Sequence, residues 1–439
     1  QSLGFNIPYD FNESDFSICH DLVTVFLDEY PDKTPFDAMR YLIAEANYGG
    51  RVTDDWDRRL VNVYIDQFIC PAAVDEPNYA LSELKEYCIP GDGDLNSYKE
   101  CIRAFPKSDH PAAFGQHPNA DVASLIEDAG NLLDTMIGLQ PRVASAGGES
   151  REKKVLRQAA GLQEQVPEPL DLCAIRASLA GRSDPEPLKT ALLQEAERYD
   201  GLLRTLHRQL AEVSRALQGL AIVTPELEEI VVALADFKVP HAWGACYPSA
   251  KPLGAWVADL GQRVDQIRRW GLTAMPAVFW LPGMTYPTGF LTALLQTSAR
   301  KNGIAIDTLS WEFTVGGGPG GGGAGHGAGH GGGHAAAIEG AYCDGLFLEG
   351  ARWNRAEGCL EEPLPMELFS PVPPIHFRPV ESKKKAPKGT YLCPAYMYPV
   401  RTGTRERPSF VIAADLPAGR HPAEFWTKRG VALLLSVAT

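Results

Sequence analysis

The sequence predicts an α+β protein of more than one domain, in which a helical region and a helical bundle precede a small antiparallel β-barrel. Three observations predict it. The chain has 439 residues, more than one ordinary hydrophobic core accommodates. Apolar residues recur at three- and four-residue spacing through most of the first three hundred positions, the period of an amphipathic helix. From Ile304 onward the period falls to two, the signature of half-buried strands. The resulting boundaries are a helical domain over 1–142, a linker over 143–150, a helical part over 151–303 and a β-barrel part over 304–439.

The first helix is predicted in "FNESDFSICHDLVTVFLDEY", with Asn12 as N-cap and Phe16, Cys19, Leu22, Val23 and Phe26 on one face. A second runs from Phe36 to about Ala46 and ends at Gly49-Gly50; a third, in "DDWDRRLVNVYIDQFI", aligns Trp56, Leu60, Val63, Tyr64 and Phe68. "RVASAGGES" is small, flexible and aperiodic, hence the linker. The longest helix is expected from Leu188 to Leu220, where Leu188, Leu192, Tyr199, Leu202, Leu206, Leu210, Val213, Leu217 and Leu220 form a single apolar stripe. Further amphipathic segments at Pro225 to Leu234, Leu253 to Trp270 and Thr288 to Lys301 complete a bundle. Six strand candidates follow, in "LSWEFTV", "AYCDGLFLEGARW", "IHFRPV", "TYLCPAYMY", "SFVIAADLP" and "GVALLLSV", enough for a small barrel or sandwich.

Composition excludes several classes of function. A formal charge of -14 argues against binding nucleic acid or anionic membrane through the protein as a whole. The densest basic patch, Lys383, Lys384, Lys385 and Lys388, reads as a solvated loop between prolines. Nine single cysteines without a CxxC pair fit a reducing compartment rather than a disulfide framework or structural zinc. No apolar stretch is long enough to span a bilayer. The chain opens on Gln1 without a methionine and carries no signal peptide, and is therefore expected to be a piece of something longer.

Chemistry is hard to find. There is no Gly-Lys dipeptide and so no phosphate loop; the G-x-G-x-x-G match at Gly327 to Gly332 falls in a run so rich in glycine that chance supplies it. No nucleophile elbow and no H-E-x-x-H motif occur. Asp109, His110, His117 and Asp121 are close enough in sequence to suggest a metal, but Pro111 and Pro118 directly follow both histidines, which reads as capping and turn chemistry. The least generic stretch is "NYGGRVTDDWDRR". It either presents Arg51 to a phosphate on a neighbouring subunit, or its arginines and aspartates pair among themselves to fix a helix corner; the structural reading is preferred. No catalytic, cofactor-binding or metal-ligating residue is assigned.

"IPYDFNESDF", "NYGGRVTDDWDRRL", "SDHPAAFGQHPNAD", "LLDTMIGLQPR", "LLQEAERYDGLLRTL", "YPSAKPLGAWVADL", "FLTALLQTSARKNGIAIDTLSWEF", "GLFLEGARWN" and "YLCPAYMYPVRTGT" resemble, in that order, the C-terminal end of dynein heavy chains, and the axonemal class more than the cytoplasmic one. The resemblance implies that 1–142 is the helical lid of the sixth AAA+ module of a motor ring, and that the rest is the C-terminal domain, a bundle followed by a β-barrel. It also implies that this segment is non-catalytic and has a structural and regulatory role. The parent protein would be a minus-end-directed microtubule motor of cilia and flagella, with ATP and Mg bound in other modules. Implied partners are the remaining AAA+ modules, dynein intermediate and light chains, and the microtubule through a stalk absent here; nucleic acid and membrane are not expected. The implied location is the cytoplasmic axoneme. The alternative is an independent scaffold or protein-binding module without motor activity. Two connections depart from the family's pattern, the short passage from "YPVRTGT" to "RERPSF" and "WLPGMTY".

The resemblance does not cover the run 316–337, which contains "HGAGHGGGH". His326, His330 and His334 would share a helical face, but a glycine-filled helix is disfavoured by roughly 1 kcal/mol per glycine. The run is read as a low-complexity expansion of a hairpin connection between "SWEFTV" and "AYCDGLFLEGARW".

Overall fold

The computed structural model describes residues 4–7, 9–108, 110–139, 151–246, 249, 251–316, 340–381, 388–397 and 410–437. Helices α1 (Glu13–Glu29), α2 (Phe36–Tyr41), α3 (Asp55–Phe68), α4 (Pro71–Asp75), α5 (Leu95–Ala104) and α6 (Asn119–Leu139) come first. They are followed by α7 (Arg151–Gln165), α8 (Leu172–Ala180), α9 (Glu186–Leu217), α10 (Pro225–Ala235), α11 (His241–Gly244), α12 (Leu253–Leu272) and α13 (Pro287–Asn302), with α14 (Ala423–Lys428) near the end. The strands are β1 (Val278–Trp280), β2 (Ser310–Val315), β3 (Ala341–Asp344), β4 (Phe347–Glu349), β5 (Arg352–Asn354) and β6 (Cys359–Glu361), then β7 (Phe369–Pro371), β8 (Ile375–Val380), β9 (Thr390–Tyr396), β10 (Phe410–Pro417) and β11 (Ala432–Leu434).

Local sequence explains the helix ends. Asn12 caps α1 through a reciprocal capping box with Asp15, as its position suggested. The expected face of α1 is buried at Cys19 and half-buried at Leu22, Val23 and Phe26, but Phe16 is 65% exposed and Asp15 is buried instead. After α2 the backbone loosens into a π turn over Leu42–Asn47 and a 3-10 turn over Tyr48–Gly50, which ends the second predicted helix where the glycines are. The stripe of α9 is buried from Leu188 to Val213; Leu220 lies beyond the helix end and is 66% exposed.

The described residues fold into two compact units, neither of which is a single run of sequence. One combines Gln1–Asp128, Leu348–Pro371 and Ala386–Leu433; the other combines Ala129–Phe347, Val372–Lys385 and Leu434–Thr439. In the first unit, Phe5, Ala44, Val52, Leu60 and Val61 form a core against which Tyr9, Tyr48, Tyr64 and Ile65 pack. In the second, α9 is the central helix, with α7, α8, α10, α12 and α13 around it.

The expected β-barrel is not formed. Among the described residues the strands make a four-stranded sheet in the order β1-β3-β8-β2, a five-stranded sheet in the order β10-β9-β11-β4-β7 and the β5-β6 hairpin, and none closes on itself. Nor is the arrangement purely antiparallel, because β1, from the part assigned to helices, joins β3 in parallel. The physical reason lies in "AYCDGLFLEGARW", which reads as one strand but is three. Gly345 and Gly350 have φ of +82° and +74°, so the backbone turns in the left-handed region twice within six residues. The turns distribute β3, β4 and β5 among three different sheets. Period-two patterning specifies which face is buried, not which strand is the neighbour.

The hairpin reading of the glycine-rich connection also fails. β2 and β3 both pair antiparallel with β8, one on each side of it, so they run parallel to each other and are not hairpin neighbours. Parallel strands cannot be joined by a tight turn. The run itself, with His326, His330 and His334, lies outside the described residues apart from Gly316, whose amide donates to the Pro374 carbonyl.

Candidate functional site

The stretch that stood out in sequence lies in the first unit. Asp54 caps α3, its side chain accepting from the amides of Trp56 and Asp57 at 3.0 and 3.2 Å. The arginines and aspartates here do not pair among themselves. Arg51 reaches α1, with Nε 2.9 Å from Asp15 Oδ1. Arg58 donates to the Val52 carbonyl at 3.0 Å and lies 3.5 Å from Glu45.

Asp57 is buried and accepts three hydrogen bonds, from the Asn6 amide at 2.8 Å, the Ile7 amide at 3.2 Å and the Tyr9 hydroxyl at 2.9 Å. Burial pushes its carboxyl up to about 6, with a further push from the charge of Asp54, against the opposing pull of the donors. The Tyr9 phenol is raised to about 12 by burial and by the neighbouring Asp57. A carboxylate with only neutral donors therefore holds the N-terminal segment to α3.

Arg59, two residues along, points to the sheet. Its Nη2 donates to the Tyr391 hydroxyl at 2.9 Å and its Nη1 to the Leu392 carbonyl at 2.7 Å. Its guanidinium lies 4.7 Å from the Trp56 ring centre and 5.0 Å from that of Tyr391. Asn6 Nδ2 donates to the Tyr396 hydroxyl at 2.6 Å, and Trp56 packs on Phe410 with ring centres 5.6 Å apart. The cavity among these groups is only about 20 Å³, too small for any substrate.

A second contact set lies around α14. Gln116 Nε2 donates to the Lys428 carbonyl at 2.7 Å, and Asn119 Nδ2 to the carbonyls of Leu364 and Glu367 at 2.8 and 2.9 Å. Buried Arg429 bridges Glu83 and Glu362, with Nη2 at 3.4 and 3.2 Å. A cavity of about 260 Å³ beside the β5-β6 hairpin is lined by ion pairs, Arg352 with Glu361 at 3.2 Å and His421 with Glu362 at 3.3 Å among them. Its cations are matched by carboxylates, which leaves little to attract an anion.

The histidines singled out in sequence are caps. His110 Nδ1 accepts from the Ala112 amide at 3.2 Å and His117 Nδ1 from the Asn119 amide at 3.1 Å. Burial and the nearby Arg429 hold His117 below the usual imidazole range. Asp121 is in the first turn of α6; Asp109 and Lys383, Lys384 and Lys385 lie outside the described residues, and Lys388 is exposed. Among the described residues no group of three or more His, Cys, Asp or Glu is placed to hold a metal ion, and no helix is long and apolar enough to cross a membrane. Sequence reasoning missed Asn6, Gln116, Asn119, Tyr391, Tyr396 and Arg429, because each finds its partner across a long span of sequence and no local pattern marks it.

Comparison with known proteins assigns this architecture. Residues 1–120 match the model of the AAA lid domain of the dynein heavy chain, and residues 126–435 match that of its C-terminal domain. The protein is 49% identical over 442 residues to the dynein-1-beta heavy chain of the flagellar inner arm I1 complex of Chlamydomonas reinhardtii, an alignment that takes in 100% of the present sequence. It is 48% identical to dynein axonemal heavy chain 2 and 38% identical to dynein axonemal heavy chain 1 of Homo sapiens, each over 99% of its length. It spans 10% of the length of each of these relatives. With both models matched in order and nearly every residue aligned to axonemal relatives, the protein belongs to the dynein heavy chain family, as a C-terminal region of the axonemal class.

Proposed function

We propose that the protein is the non-catalytic structural and regulatory part of an axonemal dynein heavy chain, a minus-end-directed microtubule motor that moves cilia and flagella with ATP hydrolysed in other modules. The single observation that carries this reading is the joint in the first unit, where Arg59 and Asn6 bond to β9. The lid that contains them is taken to be that of the sixth AAA+ module. Rotation of a lid that hydrolyses nothing would be passed as a rigid-body movement to the strands bonded to it.

In this reading ATP and Mg belong to the parent protein, and the segment itself contributes no catalytic group. Its partners are the remaining AAA+ modules, with intermediate and light chains and the microtubule engaged elsewhere on the parent. The flagellar and axonemal names of the relatives support a location in the axoneme. An independent scaffold module is disfavoured, because the relatives carry this match as a tenth of a longer polypeptide. The test is Arg59→Ala with Tyr391→Phe in the parent heavy chain, read by microtubule gliding and by nucleotide binding at the main site. The expected result is gliding slowed at least twofold with ATP binding retained. Unchanged gliding, or loss of all ATP binding, overturns the reading.

A further inference from the structure

Within the first unit, a cavity of about 220 Å³ opens between α3, the loop at 81–83, the 3-10 turn at Pro111–Phe114 and the end of α14. Its walls are tied to one another. The Tyr64 hydroxyl donates to the Phe114 carbonyl at 2.6 Å, Gln67 Nε2 to the Leu81 carbonyl at 3.0 Å and Lys428 Nζ to Gln67 Oε1 at 3.0 Å. A cavity braced in this way is formed before any ligand arrives. One side of it is aromatic: Tyr64 and Phe68 lie ring to ring, 6.1 Å apart and 8° from parallel, and Phe68 and Phe114 remain 36% and 44% exposed. The other side carries a cation. Among the described residues the Lys428 ammonium forms no ion pair, and its one side-chain hydrogen bond goes to the neutral amide of Gln67. Glu83, the acid on the cavity wall, is engaged by Arg429 at 3.4 Å. Burial holds the ammonium below the usual lysine range, with Glu83 pulling against it and Arg429 adding to it. Gly115 leaves room for the lysine stem, since a Cβ there would lie 3.0 Å from Lys428 Cβ.

We propose that this cavity binds an aromatic ring that bears a carboxylate, with the ring against Tyr64, Phe68 and Phe114 and the carboxylate on Lys428. A cavity of about 150 Å³ is enough for benzene, so this one has room for a ring and a short acidic arm. Ring-on-ring contact selects a planar ligand over an aliphatic one. The half-buried ammonium, less screened than a surface charge, selects an anion over the corresponding neutral amide. The larger cavity beside the β5-β6 hairpin has no such preference, because carboxylates already match its cations. The same ring-and-carboxylate chemistry occurs in a free aromatic acid and in the C-terminal Phe or Tyr of a polypeptide.

The test is isothermal titration calorimetry with indole-3-acetate and with indole-3-acetamide, which has the same ring without the charge. The acetate is expected to bind about tenfold tighter than the amide, and Lys428→Met to erase that preference. Phe114→Ala keeps the carbonyl that Tyr64 uses and trims a side chain that is already 44% exposed; it is expected to weaken both probes about threefold while the preference for the acetate stays. Equal affinity for the two probes overturns the proposal, as do the absence of binding by either up to about 1 mM, a preference that survives Lys428→Met, or affinities unmoved by Phe114→Ala. A peptide ending in a free tyrosine carboxylate distinguishes the two sources. Binding tighter than that of the acetate, and lost on amidation, assigns the site to a polypeptide end; weaker binding assigns it to a free acid, and either result upholds the ring-and-carboxylate chemistry. The acetate is also expected to bind the full heavy chain. Binding by the 439-residue protein alone would mean that the cavity is closed in the parent, and overturns the proposal as well.

Discussion

The Tyr391 hydroxyl accepts from Arg59 Nη2 at 2.9 Å across 332 residues of sequence, and donates to the Val431 carbonyl at 2.7 Å. One phenol on β9 thus joins a lid helix to the residue that leads into β11, within the same unit. Its ring also lies under the Arg59 guanidinium, so hydrogen bonding and cation-π contact act on the same pair.

Arg59→Ala should destabilise the first unit by about 2 kcal/mol, the loss of two charge-assisted hydrogen bonds at a partly exposed site. Arg59→Lys should recover little of it, since an ammonium cannot reproduce the two-pronged fork or the planar stacking. Urea denaturation of the three proteins at one pH checks this, and equal midpoints would count against the joint.

Asp57 makes a prediction about pH. Its folded carboxyl is raised from 3.8 to about 6, so the native state holds the proton more tightly than the unfolded state does. The contribution is fully present below pH 4 and is lost as pH rises through 6. The stability of the wild type relative to Asp57→Asn should therefore fall by about 3 kcal/mol between pH 4 and pH 7. A difference that stays flat or rises over that window refutes the assignment.

In the second unit, Glu195 on α9 accepts from the Thr285 amide at 2.6 Å, the Thr285 hydroxyl at 2.7 Å and the Tyr286 amide at 2.9 Å. These lie in "WLPGMTY", one of the departures from the family's pattern, and the carboxylate is what organises that turn. Glu195→Ala leaves two amides without an acceptor and should cost about 3 kcal/mol in thermal or urea unfolding. Glu195→Gln should cost less, because one side-chain oxygen remains.

Gly345→Ala should cost about 2 kcal/mol or more, through a strained left-handed backbone and a forced shift of an aromatic side chain. An added Cβ would lie 2.4 Å from the Trp280 ring, and the φ of +82° disfavours any side chain. Circular dichroism melts that coincide with wild type would show that the turn is not required there.

Much of the helical part was legible. The Asn12 cap, the α9 stripe and the histidine turns at His110 and His117 depend on residues within a few positions of one another, which a sequence displays directly. The joint was half legible: "NYGGRVTDDWDRR" announced an unusual density of charge, but its partners Asp15, Tyr391 and Leu392 could not be read from its spacing.

The sequence by itself determined the longest helices, most of the strand-forming segments after Ile304 and the order of the two family regions, since these follow from local periodicity, capping and residue-by-residue resemblance. Only the tertiary structure decided which strands pair, that three short strands leave one another at Gly345 and Gly350 instead of closing a barrel, and that the first 128 residues share a compact unit with strands from the last hundred. Strand pairing and long-range side-chain bonds are settled by contacts between residues hundreds of positions apart, whose energies become visible only when folding has brought them together.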